Sequence, residues 1–198
     1  GGQLEWASAP YKNLNDLEFS IRAQRQFLKE VLHKKKLKVV PFGLDPHFVP
    51  EDIELIDQKR YKLMDKNMIK SGLMGQWMMR CTSSIQVNID ASSESDMEEM
   101  VFIADSLHPI ASYLFSNSPF KKKRPAYEKN LRNIIWANTD NLRCNNLFDQ
   151  EIYSKTDLID KYIDFALNVP AIFSFDHKGS AIKTKRTIGD LLMKKKEN

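Results

Sequence analysis

Gln86, Asn88 and Asp90 alternate with Ile85, Val87 and Ile89, which on a strand puts three polar groups on one face and three aliphatic ones on the other. Gln3 and Glu5 alternate with Leu4 and Trp6 in the same way near the start of the chain. If the two strands share a sheet, one of its faces gathers carboxylates and amides. These are the oxygen donors that a hard cation such as Mg²⁺ takes when it carries nucleotide phosphates. The solvent side of an ordinary sheet shows the same alternation, so spacing leaves both readings open. Other chemistries lack their motifs. There is no G-x-x-x-x-G-K-[ST] loop, no G-x-G-x-x-G, no G-x-S-x-G and no H-E-x-x-H. His33, His47, His108 and His177 are scattered and read as structural or exposed, with His108, just before Pro109, expected to be buried and hydrogen-bonded. Cys81 and Cys144 are the only cysteines, form no C-x-x-C and have no His partner at metal spacing, which excludes a disulfide scaffold and a zinc site and suits a reducing compartment.

The elements that must position these residues follow from periodicity. Leu4 and Trp6 predict a strand ended by Pro10. From Asn15, capped by Asn15 or Asp16, the sequence Leu17, Ile21, Gln24, Phe27 or Leu28, Val31 or Leu32 predicts an amphipathic helix. Lys34, Lys35 and Lys36 follow it, where a helix dipole favours cations. Val39, Val40 and Phe42 predict a short buried strand, and Pro46 and Pro50 a loop. Tyr61, Met64 and Met68 predict a helix over 57–70, punctuated by Gly72 and Gly75. A long helix over 92–117 opens at Ser95-Asp96-Met97-Glu98. Met97, Val101, Ala104, Leu107, Ala111 and Leu114 face inward, with a kink at Pro109. Ile134-Ile135-Trp136 predicts a strand, Thr156 caps a helix through Ile159, Tyr162, Ile163 and Ala166, and 170–175 returns as a strand turning at Asp176-His177-Lys178-Gly179. Without a regular βαβ rhythm, the mixture points to α+β with a largely antiparallel sheet.

Composition bounds the remaining classes. With 198 residues, 42% hydrophobic and 28% charged, the chain suits one packed domain and excludes disorder and rod-like repeats. A net charge of +4 is too small and too interspersed to require a nucleic-acid partner, and no apolar run is long enough to cross a bilayer. Lys121-Lys122-Lys123-Arg124 and Lys194-Lys195-Lys196 keep a basic nucleic-acid-binding module as a remote alternative.

Several short blocks in register carry a resemblance. Gly2-Gln3-Leu4-Glu5 with Ser8-Ala9-Pro10, Arg60-Tyr61 with Met64, Met78-Met79, and Gln86-Val87-Asn88-Ile89-Asp90 are among them. Ser93-Glu94 with Asp96, His108-Pro109-Ile110-Ala111, Asn117-Ser118-Pro119-Phe120, Arg132 with Ile135-Trp136, Thr139-Asp140, and residues 162–167 with Val169-Pro170 follow in order. Together they resemble the plant-type and proteobacterial glutamate–cysteine ligases over nearly the whole chain.

That resemblance implies a glutamine-synthetase-like catalytic fold holding ATP, Mg²⁺ and an amino acid. It also implies ligation of the glutamate side-chain carboxylate to the amine of cysteine through an acyl phosphate, the first step of glutathione biosynthesis. On it, Glu5 is the metal-ligand candidate, and Gln3, Gln86 and Asn88 face nucleotide or metal. Arg132 is the catalytic candidate, able to clamp phosphate or carboxylate bidentately, although a surface arginine would look the same. Arg60 and Tyr61 line an amino-acid pocket, and Met79 and Trp136 shape the thiol end of the cysteine site; helix and core packing are the competing explanations. The partners implied are glutamate, cysteine and ATP, with neither nucleic acid nor membrane. The resemblance also makes the chain a partial catalytic domain over 1–198, whose metal-binding strands would precede Gly1 and whose C-terminal part would follow Asn198. Cys81 stands where the family usually has an arginine, with Arg80 displaced by one and turned to the opposite face of a strand. That departure bears on how the substrate carboxylates are bound, and a sister ligase joining glutamate to another amine is the alternative. No cysteine follows Cys144, so the redox pair of plant members lacks a counterpart and a bacterial, cytoplasmic enzyme is expected.

Overall fold

The computed structural model describes residues 4–193, which divide into two compact units between residues 42 and 43. The first holds a single helix, α1 (Leu14–Lys34). Its cap is Asn13, two residues earlier than expected: the extended Asn13 accepts the Asp16 N–H through its side chain at 2.9 Å. Leu17, Ser20, Gln24, Leu28 and Leu32 form its less exposed stripe, close to the expected face, while Phe27 lies outside it at 61% exposure. The strands expected at 4–6 and 39–42 do not form, and Leu4, Trp6, Val39 and Val40 are exposed. Alternation sorts side chains onto two sides, but a strand also needs a neighbouring chain to complete its backbone hydrogen bonds.

The second unit is built around α2 (Lys59–Ser71), α3 (Gly75–Cys81) and α5 (Leu131–Ala137). Leu44, Cys81, Leu131 and Ile135 form its core, with Ile53, Trp77, Met78 and Ile134 packed against them. Glycine makes the corner between α2 and α3 possible. A Cβ on Gly72 would stand 2.4 Å from the Asn138 carbonyl oxygen and 2.5 Å from that of Thr139, and one on Gly75 would stand 2.5 Å from Met68 Cβ. Residues 134–136, expected as a strand, lie in α5. Asn130 caps that helix by accepting the Asn133 N–H at 3.3 Å, and Leu131 and Ile135, one turn apart, bury the same face. A short apolar run does not distinguish strand from buried helix by period alone.

α4 (Glu94–Leu114) starts at Ser93, whose hydroxyl accepts the Asp96 N–H at 3.1 Å, while Asp96 accepts from the Ser92 N–H and hydroxyl. It runs through Pro109 without ending, and none of its residues is buried. The expected inward face is thus corrected: Met97, Leu107 and Leu114 are exposed, and so is His108, as are the other three histidines. Polar ties fix α4 instead. Glu98 accepts the Ile159 N–H, Asp105 accepts the Leu147 N–H, and Glu99 pairs with Lys155. α6 (Leu158–Asn168) follows a left-handed Asp157 without a side-chain cap, so Thr156 does not serve, and α7 (Ile188–Met193) packs against it.

Antiparallel pairing is present as two ribbons. β1 (Phe120–Lys121) pairs with β2 (Arg124–Pro125), and β3 (Ser174–Phe175) with β4 (Ala181–Ile182). The second turns where Asp176 accepts the Lys178 and Ser180 N–H groups and Gly179 takes φ +73. The chain is therefore α+β, but among the described residues the ribbons do not merge into a larger sheet. Residues 85–89 pair with no strand there; Ile85, Val87 and Ile89 are 95%, 75% and 72% exposed.

Candidate functional site

Arg132 is fixed at the first turn of α5 from three directions. Its backbone N–H donates to the hydroxyl of buried Ser118 at 2.9 Å. Its aliphatic stem passes over Gly43, where a Cβ would come within 3.2 Å of Arg132 Cδ. Its guanidinium lies 5.6 Å from the ring centroid of Trp136, four residues on. The loop behind it is itself tied down, Gly43 N–H donating to the Asn117 carbonyl at 2.8 Å and Ser83 N–H to the Gly43 carbonyl at 3.2 Å.

Arg132 Nε and Trp136 Nε1 are buried and donate no hydrogen bond. Buried donors are nearly always satisfied, because an unmet one forfeits its hydration without replacement. Burial also lowers the pKa of the Arg132 guanidinium. Two such donors one turn apart on a single helix suit an incoming oxygen acceptor, and the guanidinium suits an anionic one, carboxylate or phosphate. The Lys121 ammonium lies 4.5 Å from the ring centroid of Trp77, which belongs to α3 and packs against the same core as α5.

Arg80 is the opposite case. It lies in the last turn of α3, a helix, so the expected orientation across a strand is corrected. Its Nε and Nη2 donate to Asp65 Oδ1 at 3.2 and 2.7 Å, and its Nη1 to the carbonyls of Pro50 and Ile53 at 2.9 and 3.2 Å. Gln76 adds bonds to both Asp65 oxygens. The group is saturated by the protein. Cys81 sits in the core with its thiol pushed up to about 11, by burial first and then by Asp45 and Glu51. It is a neutral packing residue that supplies none of a guanidinium's donors.

Arg60, Tyr61 and Met79 lie on α2 and α3, not on α5. Arg60 Nη2 donates to the Tyr61 hydroxyl at 3.0 Å and stacks 4.7 Å from its ring centroid, so at the start of α2 the two partner each other. Met79 is half-buried on α3. Gln86 and Asn88 are exposed on the unpaired segment, Glu5 is exposed in the first unit, and Gln3 lies outside the described residues. The described residues contain no group of three or more His, Cys, Asp or Glu able to hold a metal ion. No helix among them is long and apolar enough to cross a membrane. Ser118, Gly43, Trp77 and Lys121 were not predicted as site residues. Asn117-Ser118-Pro119 was visible as a block, but what places these four around α5 is tertiary.

The sequence matches the family described as Glutamate-cysteine ligase family 2 over residues 1–195. It is 34% identical over 178 residues to Glutamate–cysteine ligase A, chloroplastic, of Oryza sativa subsp. indica, covering 90% of this chain and 36% of that protein. It is 33% identical over 192 residues to Glutamate–cysteine ligase, chloroplastic, of Medicago truncatula, covering 97% and 37%. With the Arabidopsis thaliana protein of the same name it shares 33% over 175 residues, 88% of this chain and 33% of that one. The chain thus spans about a third of the length of these relatives. They are plant proteins named as chloroplastic, which corrects the expectation of a bacterial, cytoplasmic enzyme. That expectation rested on the placing of two cysteines, whereas the match, at 34% identity, extends over 90% of the chain.

Proposed function

The chain belongs to glutamate–cysteine ligase family 2, and on that premise we propose that it forms part of the catalytic domain of an ATP-dependent ligase producing γ-glutamylcysteine. In this reading the γ-phosphoryl group of ATP passes to a side-chain carboxylate oxygen of glutamate and ADP leaves. The amine nitrogen of cysteine then attacks the acyl carbon, phosphate departs with its oxygen, and the amine proton is released. The protein's task is positioning and charge stabilisation, not covalent chemistry. Arg132 and Trp136 hold an anionic oxygen of the substrate or of the phosphoryl group in flight. Their two buried, unmatched N–H donors are the observation that carries this reading. Gln86 and Asn88, exposed and amide-bearing, remain the candidates to face the nucleotide in a glutamine-synthetase-like fold, and Arg60, Tyr61 and Met79 the candidates for amino-acid contacts.

Magnesium does not fit the described residues: Glu5 is exposed, and no group of three or more His, Cys, Asp or Glu among them could hold a metal ion. No step is therefore routed through a metal here. Cys81 in place of the family's usual arginine favours a second reading, a sister ligase whose amine differs from cysteine. One experiment separates them. Protein supplied with glutamate, ATP, cysteine and competing amines should give γ-glutamylcysteine, detected by mass, and Arg132→Met should abolish it. ADP release with a different amine preferred would move the assignment to the sister ligase, and no product from folded protein would refute both.

A further inference from the structure

We propose that the β1–β2 hairpin is a cationic arm that takes the polyphosphate of a nucleoside triphosphate, a reading that rests on the ligase function proposed above. Its sequence, Lys121-Lys122-Lys123-Arg124, is an unbroken run of cations. Lys121 pairs with Arg124 across a two-residue turn formed by Lys122 at φ +52 and Lys123 at φ +65. Such a turn matches the twist of the flanking strands, and asparagine followed by glycine is its usual sequence, because other L-residues are strained at positive φ. Two lysines occupy it instead, so the fold accepts a conformational cost where charge is concentrated.

The arm is held in place. Lys123 N–H donates to the Pro46 carbonyl at 2.7 Å, and Ala126 N–H to the Pro119 carbonyl at 2.7 Å. The Lys121 ammonium rests over Trp77. Pro46 ends the short loop that begins at Gly43, the residue backing Arg132, so one loop supports both the arm and the orphaned guanidinium. Lys122, Lys123 and Arg124 are exposed, and none of the ion pairs among the described residues uses any of the four cations. Tyr127, just beyond β2, is fully exposed at 104% and leaves a bare ring on which a base can stack. Concentrated, unneutralised charge on a fixed turn, braced by the same loop that backs Arg132, suits a multiply charged phosphate chain better than a single carboxylate.

The test exchanges the two strained lysines for the residues the turn prefers. Lys122→Asn combined with Lys123→Gly removes two charges while favouring the same hairpin. Calorimetric binding of ATP and of inorganic tripolyphosphate is measured across a salt series, in the absence of turnover. Both affinities should fall by about tenfold, with a shallower salt dependence, while glutamate affinity stays unchanged. Unchanged affinity for both phosphates overturns the proposal. So does a loss confined to a generic single-stranded oligonucleotide, which would make the arm a nucleic-acid contact. Failure of the unaltered protein to form γ-glutamylcysteine would count against the ligase reading alone, because the binding measurement needs no catalysis.

Discussion

Arg80 and Arg132 are both partly buried in the same unit, yet their surroundings differ in one decisive respect. Arg80 spends its donors on Asp65 and on the carbonyls of Pro50 and Ile53, in a pair whose side chains are only 15% and 13% exposed. Arg132 keeps a buried Nε without an acceptor, beside an indole N–H in the same condition. A saturated guanidinium holds the fold, and an unsaturated one holds open a place for something else. Whether an arginine is structural or functional is thus decided by its acceptors, not by how deeply it lies.

The sharpest way to break this comparison is to strip Arg80 of its counter-charge. Asp65→Asn leaves a buried guanidinium unpaired and should destabilise the protein by about 3 kcal/mol, read as a drop in the urea midpoint. A change within experimental error would mean that Arg80 is no more structural than Arg132. Next comes the corner that brings the two regions together. Gly72→Ala drives a Cβ into the carbonyl oxygens of Asn138 and Thr139, so α2 and the end of α5 must separate at a cost of about 2 kcal/mol. Full stability in this variant would show that the close approach is not needed to set Arg132.

Much of the helical scaffold was legible in the sequence, because α1, α2, α4 and α6 each span enough turns for their period to be read, although the caps fell elsewhere than expected. The misplaced strands share one cause. Residues 134–136 are β-branched and aromatic, and only the burial of Leu131 and Ile135 together with the Asn130 cap shows that they are helical. Residues 85–89 have a clear strand pattern and no partner among the described residues, and pairing is a property of two segments. Of the site, Arg132 and Trp136 were named from the family resemblance, whereas their missing acceptors were invisible until the neighbours were in place. The candidates at 3–5 and 86–88 were read from alternation and given their roles by the family resemblance; Gln86 and Asn88 are exposed on a segment that pairs with no strand among the described residues.

Cys81, next to Arg80 in sequence, offers a gentler test. Its thiol is shifted from 9.0 to about 11, chiefly by burial, so the folded state favours the protonated form. That stabilisation is fully present below pH 9, the unfolded value, and is lost as pH rises through 11. The stability of the unaltered protein should therefore fall more steeply over that window than that of Cys81→Ala, measured by urea unfolding at each pH. At pH 8 the thiol should resist alkylation in the folded protein. Parallel pH profiles would place Cys81 outside the core that joins the two arginine regions.

The smallest expected effect on stability is also the most informative. Arg132→Met replaces a half-buried guanidinium whose buried Nε lacks an acceptor with an apolar chain of similar length, so it removes a desolvated donor rather than a hydrogen bond. It should shift the unfolding free energy by less than about 1 kcal/mol, and the sign can favour the variant. Ligation of glutamate should nevertheless disappear, because the oxygen that Arg132 and Trp136 would receive then meets only the indole. An unfolding loss like that of Asp65→Asn would mean that Arg132 has protein acceptors after all and would collapse the distinction between the two arginines. Intact stability with lost ligation would show that its idle donor is kept for the substrate.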